Sequence, residues 1–267
     1  MSIVVGILSV LMGLVMGLLG GGGSVLTVPL LVYVADQEPS SAIATSLLVV
    51  GVASGVSVIK HAKLGNVRPR LGVAFGVSAM IGAYIGGRAA SLFSGQTLLV
   101  LFAALMLVAG IAMVRPKKQP AEPKASAEDK SLNWPLVVVE AFVVGVVTGL
   151  VGAGGGFIIV PTLVLLTGID MRSAVGTSLL IISMKSFTGL AGHLAHADVN
   201  LELAAFVTVL AIAGALFGAS LTARIKPAKL KRGFGVFVLI MAVFIVGKES
   251  ALTEDSPSPP AQSPATS

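Results

Sequence analysis

The chain has 267 residues, of which 55% are hydrophobic and only 11% are charged, and its formal net charge is +6. A soluble domain has about 25% charged residues, so this composition excludes an ordinary soluble enzyme or binding module. A positive charge of this kind is typical of the cytoplasmic loops of a membrane protein and does not indicate nucleic-acid binding. The absence of cysteine excludes disulfides, thiol chemistry and iron–sulfur sites.

Apolar segments long enough to cross a bilayer follow one another along the whole chain. The first, 3–35, is interrupted by four consecutive glycines, and a similar segment at 133–167 also contains a glycine cluster. Uninterrupted transmembrane helices are predicted at 41–59, 71–87, 98–114, 173–192, 201–223 and 230–247. The predicted fold class is an all-α polytopic membrane protein.

The sequence repeats itself with a fixed offset of 132 residues. The stretch "GLLGGGGSVLTVPLL", which begins at Gly17, matches "GLVGAGGGFIIVPTL", which begins at Gly149, and "ATSLL" at Ala44 matches "GTSLL" at Gly176. The chain is therefore divided into two homologous membrane repeats, 1–114 and 133–247. A polar linker at 115–132, predicted to be cytoplasmic, joins them, and the composition of the tail at 248–267 predicts disorder.

Lysine and arginine are distributed oppositely in the two halves. The loop at 60–70 holds four of them, whereas the equivalent loop, "HLAHADVNLE", holds none; one helix later the bias is reversed. Equivalent loops with opposite bias are expected on opposite sides of a membrane, so the halves are predicted to be inverted repeats. This topology places 15 of the 18 Lys and Arg residues inside and both termini outside, whereas an eight-crossing topology places only 10 inside.

Inversion requires an odd number of crossings in each half. Each half has three ordinary helices and one glycine-broken segment, so this segment is predicted to enter the membrane, turn and leave by the same face. A straight helix over 3–34 would be about 48 Å long, against a hydrocarbon core of about 30 Å. Irregular backbone at that depth must be surrounded by protein or water, so the two clusters are expected to face one another across a pseudo-two-fold axis and line a cavity.

The chemistry of the glycine clusters favours an anion. A half-helix is predicted to begin after each cluster, at about Val25 and Phe157, with free N–H groups and the positive end of the helix dipole. Ser24 is a candidate cap for the first half-helix, hydroxyls near the next helix starts are candidate donors, and Lys185 is a cation inside an apolar helix. The predicted substrate-binding residues are Gly20, Gly21, Gly22, Gly23, Ser24, Thr45, Ser46, Gly152, Gly154, Gly155, Gly156, Thr177, Ser178 and Lys185. No metal or cofactor site is predicted.

Each of these features also has a purely structural interpretation. Glycines in membrane helices often serve only close packing, and a Ser or Thr near a helix start often serves only as a cap. Lys185 can extend its ammonium to an interface. Glu140, His61 and His193 are candidates for proton coupling, but Glu140 can equally reach the headgroups, and the two histidines can equally be interfacial residues at helix ends.

These motifs resemble the TauE/SafE family of membrane transporters, often called sulfite exporters. The resemblance rests on the pattern G-L-x-G-x-G-G-x-x-x-x-V-P at 17–29 and 149–161, on the T-S-L-L sequence after each, and on the late histidines. It covers both halves and leaves out the linker and the tail. It implies transport of a small organosulfur anion, such as sulfite, thiosulfate, sulfoacetate or another sulfonate, in a bacterial inner membrane.

The predicted function is a secondary transporter that moves such an anion by alternating access, with protons as a candidate coupling ion. The alternatives are an anion channel and a transporter for a small anion without sulfur. An intramembrane enzyme is disfavoured because the chain has no H-E-x-x-H motif and no Ser–His pair with a clear third member. A scaffold is disfavoured because it needs no glycine-broken helices.

Overall fold

The computed structural model describes residues 3–89, 92, 95–115, 133–151, 156–165, 167–193 and 199–254. These residues form ten α-helices and no strand. The helices are α1 (Ile3–Leu19), α2 (Ser24–Tyr33), α3 (Pro39–Lys63), α4 (Pro69–Ala89), α5 (Gly95–Val114), α6 (Trp134–Val151), α7 (Gly156–Leu165), α8 (Met171–His193), α9 (Leu201–Arg224) and α10 (Pro227–Glu254). The all-α fold class predicted from the sequence is confirmed.

The helix starts follow local sequence signals. A proline opens α3, α4 and α10, where its missing N–H costs nothing and its fixed φ suits a first turn. The side chain of Asn200 accepts a hydrogen bond from the backbone N–H of Leu203 and so caps α9, and Asp170 accepts from the first turn of α8. The observed starts of the six uninterrupted helices lie within three residues of the starts predicted from the sequence. By length and composition, three described helical segments are able to cross a membrane: Ser41–Lys63, Met171–Ala191 and Leu201–Arg224.

The last helix is longer than the sequence analysis predicted. The tail at 248–267 was expected to be disordered from its first residue, but α10 continues to Glu254. The segment 248–254, "KESALTE", contains neither Pro nor Gly and has good helix formers, so nothing local stops the helix there. Residues 255–267 and the predicted linker, apart from Arg115, lie outside the described residues.

The repeat seen in the sequence is also present in the helices. The starts of α7, α8, α9 and α10 each follow those of α2, α3, α4 and α5 by the same 132 residues. The two halves meet at equivalent positions, since the hydroxyl of Ser183 donates to the carbonyl of Gly51 at 3.0 Å, and these residues are 132 apart. The two halves therefore contact one another through the equivalent helices α3 and α8.

The equivalent helices α3 and α8 run antiparallel. Leu47, in the first half of α3, lies against Gly189, near the end of α8. Further along α3, a Cβ added to Gly55 would lie 3.1 Å from Oγ of Ser183, which comes earlier in α8. At the end of α3 the contact has moved back to the second turn of α8, where Gly176 lies against Asn66. This antiparallel crossing of equivalent helices is the relation that an inverted repeat requires.

The first glycine cluster turns the chain back on itself. Gly20 has φ +73°, a left-handed conformation that glycine adopts without strain. After the turn, α2 runs back along α1, because the Thr27 hydroxyl lies 3.0 Å from Met12 Sδ and Gly23 packs against Met16. The helix pair α1–α2 is therefore a hairpin, as the sequence predicted.

Both ends of this hairpin lie at one end of the molecule. A cavity of about 360 Å³ is lined by Val5 from the start of α1, by Val34 and Asp36 after α2, and by Asn200 and Glu202 at the start of α9. Because α3 begins directly after this segment, the chain leaves the hairpin where it entered. The second arm, α2, has 10 residues and is about 15 Å long, which is shorter than a hydrocarbon core of about 30 Å.

Two helix pairs pack through glycine against backbone. In the pair α1–α9, a Cβ added to Gly13 or Gly17 would overlap the backbone of Ala211 or Ala215. In the pair α4–α6, a Cβ at Gly82 or Gly86 would likewise overlap backbone atoms of α6. Each pair joins the first repeat to the second, and the glycines allow the backbones to approach as small residues do in membrane helices.

The basic loops gather at one end of the molecule. The connection between α3 and α4 carries Arg68, and Arg70 follows in the first turn of α4. This connection packs on the second turn of α8 through Asn66 and Gly176. At the same end of α8, the Arg172 guanidinium donates to the carbonyls of Ala223 and Ile225, where α9 ends and the basic start of α10 begins. The opposite end carries Asp36, Glu38 and Glu202 around its cavities.

Candidate functional site

The two half-helices α2 and α7 meet at their N-terminal ends. Their first residues, Ser24 and Gly156, are repeat equivalents, and a Cβ added to Gly156 would lie 2.7 Å from Ser24 Oγ. Gly21 lies on the same side of Gly156, with its Cα 2.8 Å from that Cβ position, so the two backbones touch. The expectation that the two glycine clusters face one another is met by these described residues, and we call this contact the glycine junction (Gly20, Gly21, Ser24 and Gly156).

The described part of the glycine junction is closely packed. A Cβ added to Gly20 would lie 2.5 Å from Ser178 Oγ, and one added to Gly21 would overlap the backbone of Gly156. Two cavities with a described lining lie elsewhere, at the Asp36–Asn200 end. Because Gly152, Gly154 and Gly155 lie outside the described residues, a cavity lined by both clusters stays a prediction.

The remaining members of the predicted set differ in what they face. A Cβ added to Gly22 would face the ring of Phe237, and one added to Gly23 would lie within the hairpin against Met16. Gly152, Gly154 and Gly155 lie outside the described residues.

Ser24 does not cap α2, contrary to the sequence prediction. The N-cap residue is Gly23, no side chain caps the helix, and the Ser24 hydroxyl donates to the Gly21 carbonyl at 2.7 Å. The helix begins one residue earlier than predicted, so Ser24 is already inside its first turn, where its hydroxyl reaches back to a carbonyl more easily than to an N–H. The second half-helix, α7, also begins one residue earlier than predicted, at Gly156 and not at Phe157.

The predicted hydroxyl donors lie in the second turn of α3 and α8, and all are buried. Ser46 and Ser178 donate to carbonyls of their own helices, at Ile43 and Val175. Thr177 accepts a hydrogen bond of 3.0 Å from the backbone N–H of Arg68. Its repeat equivalent, Thr45, is fully buried, and its hydroxyl has no hydrogen-bond partner.

Lys185 is held next to the second glycine cluster. Its ammonium donates to the Thr148 hydroxyl at 2.6 Å, and Thr148 lies on α6, one residue before the glycine motif that begins at 149. No carboxylate among the described residues forms an ion pair with it. The equivalent positions in the first half are Ala53 and Met16, so the cation breaks the symmetry of the repeat.

Thr148 is a site residue that the sequence analysis missed. Comparison of the two repeats would have identified it. Thr148 stands where the first half has Met16, just as Lys185 stands where the first half has Ala53. In the first half, the hydroxyl of Ser54 approaches Met16 Sδ at 3.4 Å instead.

His61 supports the first hairpin. It is fully buried, and its Nε2 donates to the Gly17 carbonyl at 3.0 Å, in the last turn of α1. Thr222 of α9, a residue with no signal in the sequence, donates to the same carbonyl at 3.2 Å. A helix end leaves its last carbonyls unpaired, so these two side chains satisfy a group that the glycine turn exposes.

The other two candidates for proton coupling lie apart from the glycine junction. Glu140 is half-buried on α6, about 12 Å along the helix from Thr148. His193 is the last residue of α8, and its side chain lies outside the described residues.

Comparison with known proteins identifies the family. The description "Sulfite exporter TauE/SafE" matches residues 5–245, which include both repeats. The chain belongs to the TauE/SafE family. The matched region of the TauE/SafE protein begins within α1 and ends within α10.

The curated relatives of this TauE/SafE protein are named as membrane transporters. A "Probable membrane transporter protein" of Xylella fastidiosa (strain Temecula1) is 35% identical over 245 residues, which cover 90% of this chain and 93% of the relative. The "Probable membrane transporter protein YunE" of Bacillus subtilis (strain 168) is 29% identical, with 90% and 94% covered. No solved structure matches the chain. The protein is thus a member of a membrane transporter family.

Proposed function

We propose that the protein is a secondary transporter that moves a small sulfur-containing anion across the bacterial inner membrane by alternating access. The observation that carries the proposal is the glycine junction, where the N-termini of α2 and α7 meet at Ser24 and Gly156. Each helix N-terminus presents unpaired N–H groups and about half a positive charge, so two converging termini favour a bound anion.

Lys185 strengthens the preference for an anion. Its ammonium is held against α6 by Thr148, beside the start of the second glycine motif, and has no carboxylate partner among the described residues. A cation in an apolar helix is costly and is usually kept for function. We propose that the anion supplies the missing negative charge when it binds.

The sulfur assignment rests on the family description and on the resemblance of the motifs. A transporter for a small anion without sulfur, or an anion channel, uses the same N–H groups and the same lysine. Coupling to protons through His61, Glu140 or His193 stays a prediction.

The first test is anion binding to the purified protein. We expect one anion from a panel of sulfite, thiosulfate, sulfoacetate, taurine, acetate, phosphate and chloride to raise the thermal midpoint, because a ligand that binds only the folded state stabilises it. In Lys185→Met, affinity for that anion should fall at least about tenfold, since a hydrogen bond to a charged group contributes about 1.5–3 kcal/mol. Titrations of the midpoint against anion concentration give both affinities.

A matched control is Lys63→Met, which makes the same substitution at an exposed lysine at the end of α3. Unchanged affinity in Lys185→Met would remove the lysine from the site. A response only to acetate, phosphate or chloride would favour the alternative substrate class. Flux that does not saturate and shows no counterflow would favour a channel.

The inverted topology has its own test, in which the chain's lack of cysteine is an advantage. Pro69 and Leu201 are repeat equivalents at the starts of α4 and α9, and both are exposed. We expect an impermeant maleimide to label Leu201→Cys from outside the cell, whereas Pro69→Cys reacts only after the membrane is opened. Labelling of both residues from the same side would contradict inversion.

A further inference from the structure

The connection between α3 and α4 closes tightly on the second turn of α8. The Arg68 N–H donates to the Thr177 hydroxyl at 3.0 Å. Beside it, the backbone of Asn66 lies so close to Gly176 that an added Cβ would come within 2.9 Å of its carbonyl carbon. His61 also lies there, with its Cβ 3.2 Å from that position. We call these contacts the Gly176 seal (Asn66, Arg68, Gly176 and Thr177).

At the other end of the molecule, the described equivalents of Arg68 and Thr177 are not bonded to each other. Thr45 is the equivalent of Thr177 and is fully buried, yet its hydroxyl has no partner. Asn200 is the equivalent of Arg68, and it lines a cavity of about 470 Å³ together with Asp36, Glu38 and Ser41, which is one turn before Thr45. A buried hydroxyl without a partner is costly, so another state in which it is satisfied is expected.

The sequence difference between the repeats explains why the two ends differ. Gly176 is the equivalent of Ala44, which is fully buried and carries a methyl group. At Gly176, such a group would collide with the Asn66 backbone. A backbone therefore cannot approach Ala44 as closely as it approaches Gly176.

We propose that the two T-S-L-L motifs are alternating gates, and that the difference between Gly176 and Ala44 sets which gate is closed at rest. In the resting state, the Gly176 seal is closed and Thr45 is unpaired. In the other state, the Arg68–Thr177 bond is broken and the N–H of Asn200 donates to Thr45. This inference rests on the proposed alternating access, since inverted repeats exchange their conformations in that mechanism.

The distribution of Lys and Arg predicts that the end of the molecule with the Gly176 seal faces the cytoplasm. The resting transporter is therefore open towards the Asp36–Asn200 end. A ligand-free equilibrium that favours one state by only a few kcal/mol responds to a change of a single methyl group.

The experiment uses two cysteine reporters at equivalent positions. Leu48 and Leu180 are half-buried and lie three residues after Thr45 and Thr177, one turn behind each gate. In the otherwise unchanged chain, maleimide should react faster with Leu48→Cys than with Leu180→Cys. Adding Gly176→Ala should raise the rate at position 180 and lower the rate at position 48, each by about fivefold or more, as expected for a population shift.

A second variant makes the reverse change at the other end. Ala44→Gly removes the methyl group, so it should also lower the rate at position 48 and raise the rate at position 180, without adding bulk anywhere. Gly233→Ala is the control, because nothing lies within 4 Å of its added Cβ, and both rates should stay unchanged.

Opposite changes at the two reporters would support the gates, whereas a rise at both would show general loosening and overturn the proposal. Unchanged rates in both Gly176→Ala and Ala44→Gly would also overturn it. The assay needs no substrate, so its failure is distinct from that of the anion assignment. Opposite changes in labelling without anion binding would support the gates and contradict the anion assignment. Anion binding without such changes would support the anion assignment and contradict the gates.

Discussion

Gly21→Ala should abolish anion transport, whereas Gly22→Ala, at the next residue, should leave transport within about twofold of the unchanged protein. A Cβ at Gly21 would overlap the backbone of Gly156, and backbone cannot rotate away as a side chain can. Separating α2 from α7 to make room costs about 1–3 kcal/mol, which is about 5-fold to 150-fold in an equilibrium. It also moves apart the two N-termini that would hold the anion.

Gly22→Ala is the matched control because the chemical change is the same. Its Cβ would lie 3.2 Å from Cε1 of Phe237 and 3.4 Å from Cγ1 of Val15, both of which are side-chain atoms that can move by a few tenths of an ångström. Counterflow of the preferred anion in proteoliposomes, with equal amounts of inserted protein, measures both variants. Equal flux in the two variants would mean that the glycine junction serves only to pack the helices.

The second large effect is expected on stability. Gly13→Ala should lower the thermal midpoint strongly or prevent recovery of folded protein, because its Cβ would lie 2.7 Å from Cα of Ala211 and still closer to that residue's carbonyl. The α1–α9 pair joins the first hairpin to the second repeat, so separating it loosens both. The cost is that of overpacking against backbone, about 1–3 kcal/mol or more.

Gly6→Ala is the control in the same helix. Its Cβ would make ordinary contacts with the side chains of Leu210 and Phe206, at 3.5 and 3.6 Å. Alanine is a better helix former than glycine by about 1 kcal/mol, so this variant should leave the midpoint unchanged or raise it. Thermal unfolding of both purified variants is the measurement. Equal midpoints would show that α1 and α9 separate at little cost.

Much of the fold is local information, and the sequence therefore predicted it. Apolar length identified the six uninterrupted helices, and prolines such as Pro39 and Pro69 mark where helices begin. The 132-residue repeat and the position of the four glycines predicted a hairpin. The extension of α10 to Glu254 was missed because polar composition was taken as disorder, although "KESALTE" has no residue that stops a helix.

The contacts of the predicted site residues could be anticipated from the sequence only in part. Gly21, Gly156 and Ser24 meet as expected, yet Ser24 donates to a carbonyl and does not cap α2. Gly22 was an equal member of the predicted site, but it faces Phe237. The turn at Gly20 decides which of the four consecutive glycines faces Gly156. Because the four residues are identical, their sequence does not indicate which one it is.

The sequence by itself determined the membrane class, the duplication, the broken hairpins and the positions of the unusual residues, including Lys185. Only the tertiary structure decided that Lys185 meets Thr148, that His61 and Thr222 share the Gly17 carbonyl, and that Thr177 is paired while Thr45 is not. These contacts join residues 37 to 205 positions apart. They depend on how two nearly equivalent halves pack against each other, and helix propensity and hydrophobic patterning act over only a few turns.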